Sequence, residues 1–165
     1  GYSAVADACA TAGIDGLITV DLPPEEVAAM NAELQRQNID NIFLISPTTS
    51  DERVATITAQ ASGFIYYVAL KGVTGAGHLD TDAVEAHLAN IRQHTSLPVA
   101  VGFGIKDADT AATVAGCADA VVVGSALVDL VANDLISGGS HTSAISGAHS
   151  LISSIRNGVN LATSN

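Results

Sequence analysis

The sequence predicts a parallel α/β protein built from about five βα units. Two observations carry this expectation. Short apolar, β-branched runs alternate with Ala-rich polar stretches whose apolar residues recur at helical spacing. The apolar runs are also nearly continuous, which is expected of strands covered on both faces, as in a parallel sheet with helical crossovers. A hydrophobic fraction of 48% in 165 residues is enough for a real core, and the length fits one domain, 1–165.

The elements follow in order. Tyr2 to Ala12 reads as a helix that Gly13 stops. Gly16 to Val20 reads as the first strand. Asp21-Leu22-Pro23-Pro24 breaks the chain, and Pro24-Glu25-Glu26 suits a helix start, with Val27, Met30 and Leu34 as its apolar stripe. Ile42 to Ile45 is the second strand. Ser50 is placed to cap a helix that opens on Asp51-Glu52 and buries Val54 and Ile57. The third strand, Phe64 to Leu70, runs into the loop Lys71 to Gly77. A helix from about Thr81 to His94 aligns Val84, Leu88 and Ile91. Pro98 to Phe103 is the fourth strand, followed by a helix through Thr110 and Val114. Ala120 to Val123 is the fifth, followed by a short helix through Leu127 and Val131. Ser137-Gly138-Gly139-Ser140 is a joint. A last helix covers Ala144 to Arg156 with Leu151, Ile152 and Ile155 inward, and 157–165 reads as a frayed tail. A doubly wound sheet and a section of a barrel fit this pattern equally.

Composition narrows the function classes. Only 14% of residues are charged and the formal net charge is −11, which repels nucleic-acid phosphates and anionic membranes. Cys9 and Cys117 have no metal or CxxC spacing and read as reduced thiols of a cytoplasmic protein. No apolar run approaches a membrane span. The opening Gly1-Tyr2-Ser3-Ala4 carries no basic n-region, and so abrupt a start is expected of a fragment.

In either architecture, ligands bind beyond the C-terminal ends of the strands. Three such exits carry glycine: Gly72-Val73-Thr74-Gly75, Gly102-Phe103-Gly104 and Gly124-Ser125. Glycine lets backbone amides approach an anion, and a helix starting at Ser125 aims its free N–H groups at the same place. The last two exits belong to adjacent units, where barrels commonly hold phosphate. Tyr66 and Phe103, near strand ends, are placed to wall an apolar ligand. Asp21 is the best acid/base candidate by position, although ordering of the loop before Pro23 explains it as well. His78, His87, His94, His141 and His149 share no metal spacing.

With these residues in view, the chain resembles the tryptophan synthase α subunit family. Tyr66-Tyr67-Val68-Ala69-Leu70-Lys71-Gly72-Val73-Thr74-Gly75-Ala76 looks like that family's sixth strand and mobile loop. Val20-Asp21-Leu22-Pro23, Val101-Gly102-Phe103-Gly104-Ile105 and Val123-Gly124-Ser125-Ala126 match in the family's order and spacing. The resemblance implies a partial (β/α)8 TIM barrel, and a lyase that cleaves indole-3-glycerol phosphate to indole and glyceraldehyde 3-phosphate in tryptophan biosynthesis. It implies phosphate contacts at Gly75, Gly104, Gly124 and Ser125. It implies an indole pocket of Ile18, Leu44, Tyr66 and Phe103, and a closing role for Thr74. Pro23 would face the β subunit. No cofactor is implied for this chain, since pyridoxal phosphate belongs to the β-subunit partner.

The resemblance also implies an absence. In the family the two catalytic carboxylates lie on and after the second barrel strand, and this chain is expected to start in the helix before the fourth. The first three strands would be missing, so no catalytic residue is assigned and the chain alone is expected to be inactive. Its bare sheet edges are expected to recruit the missing N-terminal segment or a second copy. Two alternatives stand beside this. One is a histidine-biosynthesis type of barrel, disfavoured because Asp21 has no twin at a matching exit. The other is a non-enzymatic anion-binding or assembly module.

Overall fold

A computed structural model describes residues 1–69, 81–102 and 104–163. The chain runs α1 (Tyr2–Thr11), β1 (Gly16–Ile18), α2 (Ala28–Arg36), β2 (Asp40–Ile45), α3 (Asp51–Gln60), β3 (Ile65–Val68) and α4 (Thr81–His94). It continues through β4 (Val99–Gly102), α5 (Ala108–Ala115), β5 (Ala120–Val122), α6 (Ser125–Ile136) and α7 (His141–Thr163). The five strands are parallel and lie in one sheet in the order β1-β2-β3-β4-β5. A doubly wound sheet reverses its order at a switch point, whereas consecutive units of a barrel follow chain order. Strand order thus decides what periodicity left open: the fold is a five-unit section of a (β/α)8 barrel.

The chain divides into two compact units, Gly1–Val68 with Ala86–Ala100, and Ala69–Glu85 with Val101–Asn165. In the first, β2 pairs with β1 through Ile18↔Ile42 and with β3 through Leu44↔Tyr66 and Ile45↔Tyr67. Side chains alternate along a strand, so Phe43, Ile45, Ile65 and Tyr67 share one face. All four are buried. Tyr67 meets His87 of α4 with ring centroids 5.8 Å apart, and burial pushes its hydroxyl pKa up to about 12. This is the helix-covered face. Val27 just before α2, Leu34 of α2, Val54 and Ile57 of α3, and Leu88 and Ile91 of α4 are buried as well.

Among the described residues, two polar ones, Asn41 and Thr58, are buried with this apolar set. Asn41 is buried in β2 and fully engaged. It accepts from the Thr19 hydroxyl (2.7 Å) and donates to Asn31 of α2 (2.8 Å), which in turn donates to the Gln60 carbonyl at the end of α3 (2.9 Å). A buried carboxamide is tolerated when its bonds are made, and here they tie β1, α2 and α3 to one strand.

The second unit is organised by α5 and α7. Asp107 accepts from the Thr110 amide (2.9 Å), and the Thr110 hydroxyl answers toward the Asp107 backbone, so α5 opens on a reciprocal capping box. Gly158 of α7 lies against the backbone of Ala108, close enough that a Cβ would stand 2.9 Å from the Ala108 carbonyl carbon. Ala111 and Val114 of α5 and Ala144 and Ile155 of α7 are buried.

Several sequence expectations shift. Pro24 to Val27 form a turn, closed by Glu26 N–H on the Pro23 carbonyl (2.9 Å), and α2 begins only at Ala28. Ser50 occupies the N-cap of α3 without a side-chain cap bond. α6 is 12 residues long and buries none of them; Leu127 and Val131 are half-buried. The stretch read as frayed is helical from Asn157 through Thr163, because Gly158 packs on Ala108 and carries the helix past Arg156. Ile152, expected inward, is 42% exposed. Strands covered on both faces describe β4, every residue of which is buried, but not β1 or β5, the sheet's outer strands.

Candidate functional site

In the second unit the geometry centres on two neighbouring strand ends. β4 and β5 are adjacent and parallel, so their exits leave the sheet side by side, with strand axes about 5 Å apart. After β4, Gly104 has φ +79°, the left-handed region that glycine enters at no steric cost. Ile105 is buried and Asp107 is fixed in the cap of α5, so the loop is pinned on both sides of Lys106. After β5, Gly124 is the N-cap of α6 and Ser125 its first residue; both are exposed. Leu127 and Val128 donate to the Gly124 carbonyl (3.0 and 3.2 Å). The amides of Ser125 and Ala126 have no acceptor within the helix. A Cβ added at Gly104 or Gly124 would meet nothing within 4 Å, so both backbones face open space.

Exposed amides at a helix start, beside a glycine turn at the neighbouring strand's end, offer the backbone partial charges that suit an anion. Gly75, Thr74 and Phe103, also assigned from the sequence, lie outside the described residues, as does His78.

Asp107 is the one acid of the β4 exit up to the start of α5. Bonds from the Thr110 amide and hydroxyl hold its carboxyl below the usual aspartate range. It is therefore a carboxylate turned into its helix, with no proton to give near neutral pH.

In the first unit, register places Ile18, Leu44 and Tyr66 on one face of β1, β2 and β3. Ile18 partners Ile42, which is two residues from Leu44, and Leu44 partners Tyr66. Leu44 and Tyr66 are half-buried and Ile18 is 50% exposed. This is an apolar wall opposite the helix-covered face. The sequence reading missed Ile42 and Val68, which the same alternation adds to the wall. A period-two reading of Ile65 to Val68 was the available signal, hidden because every residue there is apolar or aromatic.

The remaining candidates are dispersed. Asp21 is exposed in the bend after β1, and Pro23 is half-buried in the loop that follows. The β2 exit carries hydroxyls: that of Ser46 hydrogen-bonds with those of Thr48 and Thr49. The two cysteines are not joined in a disulfide, and the Cys117 thiol donates to the Val114 carbonyl (3.3 Å). No group of three metal-ligating side chains occurs among the described residues, and no helix among them is long and apolar enough to cross a membrane.

A model of the family described as tryptophan synthase alpha chain matches residues 1–154. The chain belongs to the tryptophan synthase alpha chain family. Over 132 residues it is 59% identical to the tryptophan synthase alpha chain of Thioalkalivibrio sulfidiphilus, covering 80% of this chain and 50% of that protein. Over 129 residues it is 55% identical to that of Thiobacillus denitrificans, covering 78% and 47%. Among solved structures, tryptophan synthase subunit alpha from Legionella pneumophila superposes with a TM-score of 0.82 at 36% identity, covering 97% of this chain and 57% of that one. Tryptophan synthase from M. tuberculosis, in an open form, gives 0.80 at 30% identity, covering 96% and 56%. The chain spans about half the length of the curated relatives it matches. Membership in the tryptophan synthase alpha chain family fits the barrel section that strand order reveals.

Proposed function

We propose that this chain carries the phosphate-binding and part of the indole-binding portion of a tryptophan synthase α subunit. That subunit is a lyase cleaving indole-3-glycerol phosphate to indole and glyceraldehyde 3-phosphate in tryptophan biosynthesis. One observation carries the reading: Gly104 and Gly124-Ser125 present open backbone at adjacent strand exits, with α6 starting at the second. Those residues, with Gly75, hold the substrate phosphate. Ile18, Leu44, Tyr66 and Phe103 border the indole, Thr74 helps close the site, and Pro23 meets the β subunit. The acidic chain, with its cysteines outside any disulfide, works in the cytoplasm.

The cleavage needs an acid to deliver a proton to indole C3 and a base at the substrate hydroxyl. At the described exits the only acids before the next helix are those after β1, starting at Asp21, and Asp107, which is committed to α5. None of these is assigned as a cooperating acid and base, so the chain alone is expected to bind without turning over. Indole release above background by the 165-residue chain would overturn that.

The phosphate reading is tested by removing one amide. Ser125→Pro deletes the N–H of the first residue of α6, where a helix tolerates proline. Losing one charge-assisted hydrogen bond weakens glycerol 3-phosphate binding about tenfold or more, measured by calorimetry. Ser125→Ala keeps the amide and most of the affinity. Equal affinity in the proline variant would remove Ser125 from the site.

A further inference from the structure

We infer that Lys106 is a side-chain cation that draws the phosphorylated ligand to the β4 and β5 exits; this rests on the proposed phosphate site. The chain carries a formal net charge of −11, so its far field opposes an anionic ligand. The cradle itself is backbone and offers only partial charges. Lys106 stands two residues beyond Gly104, in the loop that leaves β4.

The loop holds it there. Ile105 on one side is 4% exposed and anchors in the core. Asp107 on the other side is locked into the capping box of α5. The Lys106 amide itself donates to the Thr110 hydroxyl (3.1 Å). With the backbone tied at three successive residues, the exposed Lys106 side chain is the free part of the loop.

Its charge acts through space on the neighbouring Asp107 carboxylate but is not held in a close ion pair. Arg36 and Arg53 are spent in ion pairs with Asp7, Glu33 and Glu25. Lys106 makes no ion pair among the described residues. Its adjacent carboxylate, Asp107, is satisfied by Thr110 instead. A lysine is a mobile point charge on a flexible stem, suited to attraction at a distance more than to a fixed fork. Attraction of this kind requires no direct contact with the phosphate.

The experiment measures glycerol 3-phosphate affinity by calorimetry for the 165-residue chain and for Lys106→Ala, Lys106→Arg and Arg156→Ala, at low and high salt. At about 0.05 M salt Lys106→Ala is expected to bind roughly threefold more weakly, and near 1 M salt, where screening reaches about 3 Å, the difference disappears. Lys106→Arg restores the affinity. Arg156→Ala, an exposed cation on α7, leaves it unchanged. Circular dichroism verifies that each variant is folded. Equal affinity of Lys106→Ala and the parent chain at low salt overturns the role of Lys106 alone. A loss that persists at 1 M salt, or one that arginine does not rescue, also overturns it. No binding by the parent chain at any salt overturns the phosphate site and this inference together.

Discussion

Leu44 and Tyr66 are register partners on β2 and β3, and both are half-buried; the next pair, Ile45 and Tyr67, is turned to the opposite face and buried. One step along two strands separates a half-buried wall from a packed core. Adjacent tyrosines should therefore behave differently. Tyr67→Ala removes a ring that is 1% exposed and should cost about 3–5 kcal/mol. Tyr66→Ala should cost about 1 kcal/mol, the ordinary value for a substitution outside the core. Urea unfolding of both variants measures the contrast. Equal losses would mean that the two faces are packed alike.

The cap of α5 carries a pH dependence whose sign follows from Asp107. Bonds from Thr110 lower its folded pKa below the ordinary aspartate value of about 4. A depressed carboxyl contributes stability above its unfolded pKa and loses it as pH falls through the folded value. Asp107→Ala should cost about 1 kcal/mol at pH 7. The side chain is largely open to solvent, so the charge-dependent part is a fraction of that. The gap between variant and parent should narrow in acid, below about pH 4. A gap that widens on acidification would contradict a cap held by the ionised carboxylate.

The two glycines within α7 separate by what surrounds them. A Cβ at Gly158 runs into the Ala108 backbone, which cannot move without breaking the start of α5. Gly158→Ala should lose about 1–3 kcal/mol to overpacking. At Gly147 the nearest atom is the Leu130 Cδ2 at 3.0 Å, the end of a flexible side chain. Gly147→Ala should be neutral or stabilising by up to about 1 kcal/mol through helix propensity. Thermal unfolding of the pair decides the point, and a neutral Gly158→Ala would show that the α5–α7 approach is loose.

These residues also show what the sequence could and could not carry. α4 was legible to the residue, Thr81 to His94, because Val84, Leu88 and Ile91 repeat at helical spacing and all three are buried. The end of α7 was not. Asn157-Gly158 reads as a stop, and only the Ala108 backbone explains the glycine there. The start of α2 was misplaced because a proline pair followed by acids suits a helix start and a turn equally. Strand order was hidden for a deeper reason: continuous apolar runs show that a sheet is parallel, not how its strands are arranged. The proposed phosphate positions Gly104, Gly124 and Ser125 were legible as exits. Their open backbone was not, since a glycine in a sequence does not say what lies in front of it. The sides of β2 and β3 stayed hidden because Phe43 and Leu44, or Tyr66 and Tyr67, look alike until register assigns them.

The sheet's ends make a last expectation. A (β/α)8 barrel closes with eight strands, and the described residues bring five, so among them β1 and β5 each keep one unpaired edge. At the β1 end the surface is apolar as well: Ile18 is 50% exposed and Val20, two residues on, 70%. Open edges next to apolar side chains pair with other chains, and natural edges are guarded by charge, lysine above all. Light scattering should accordingly find the 165-residue chain above its single-chain mass at micromolar concentration. Val20→Lys places a guard beside that edge without touching the core, and it should shift the chain toward monomer while leaving glycerol 3-phosphate binding at Gly104 and Gly124 unchanged. An added segment supplying the three further strands should do the same by closing the barrel. A parent chain that is monodisperse and monomeric would mean that its edges are satisfied within one chain, which a sheet ending at β1 and β5 does not provide for.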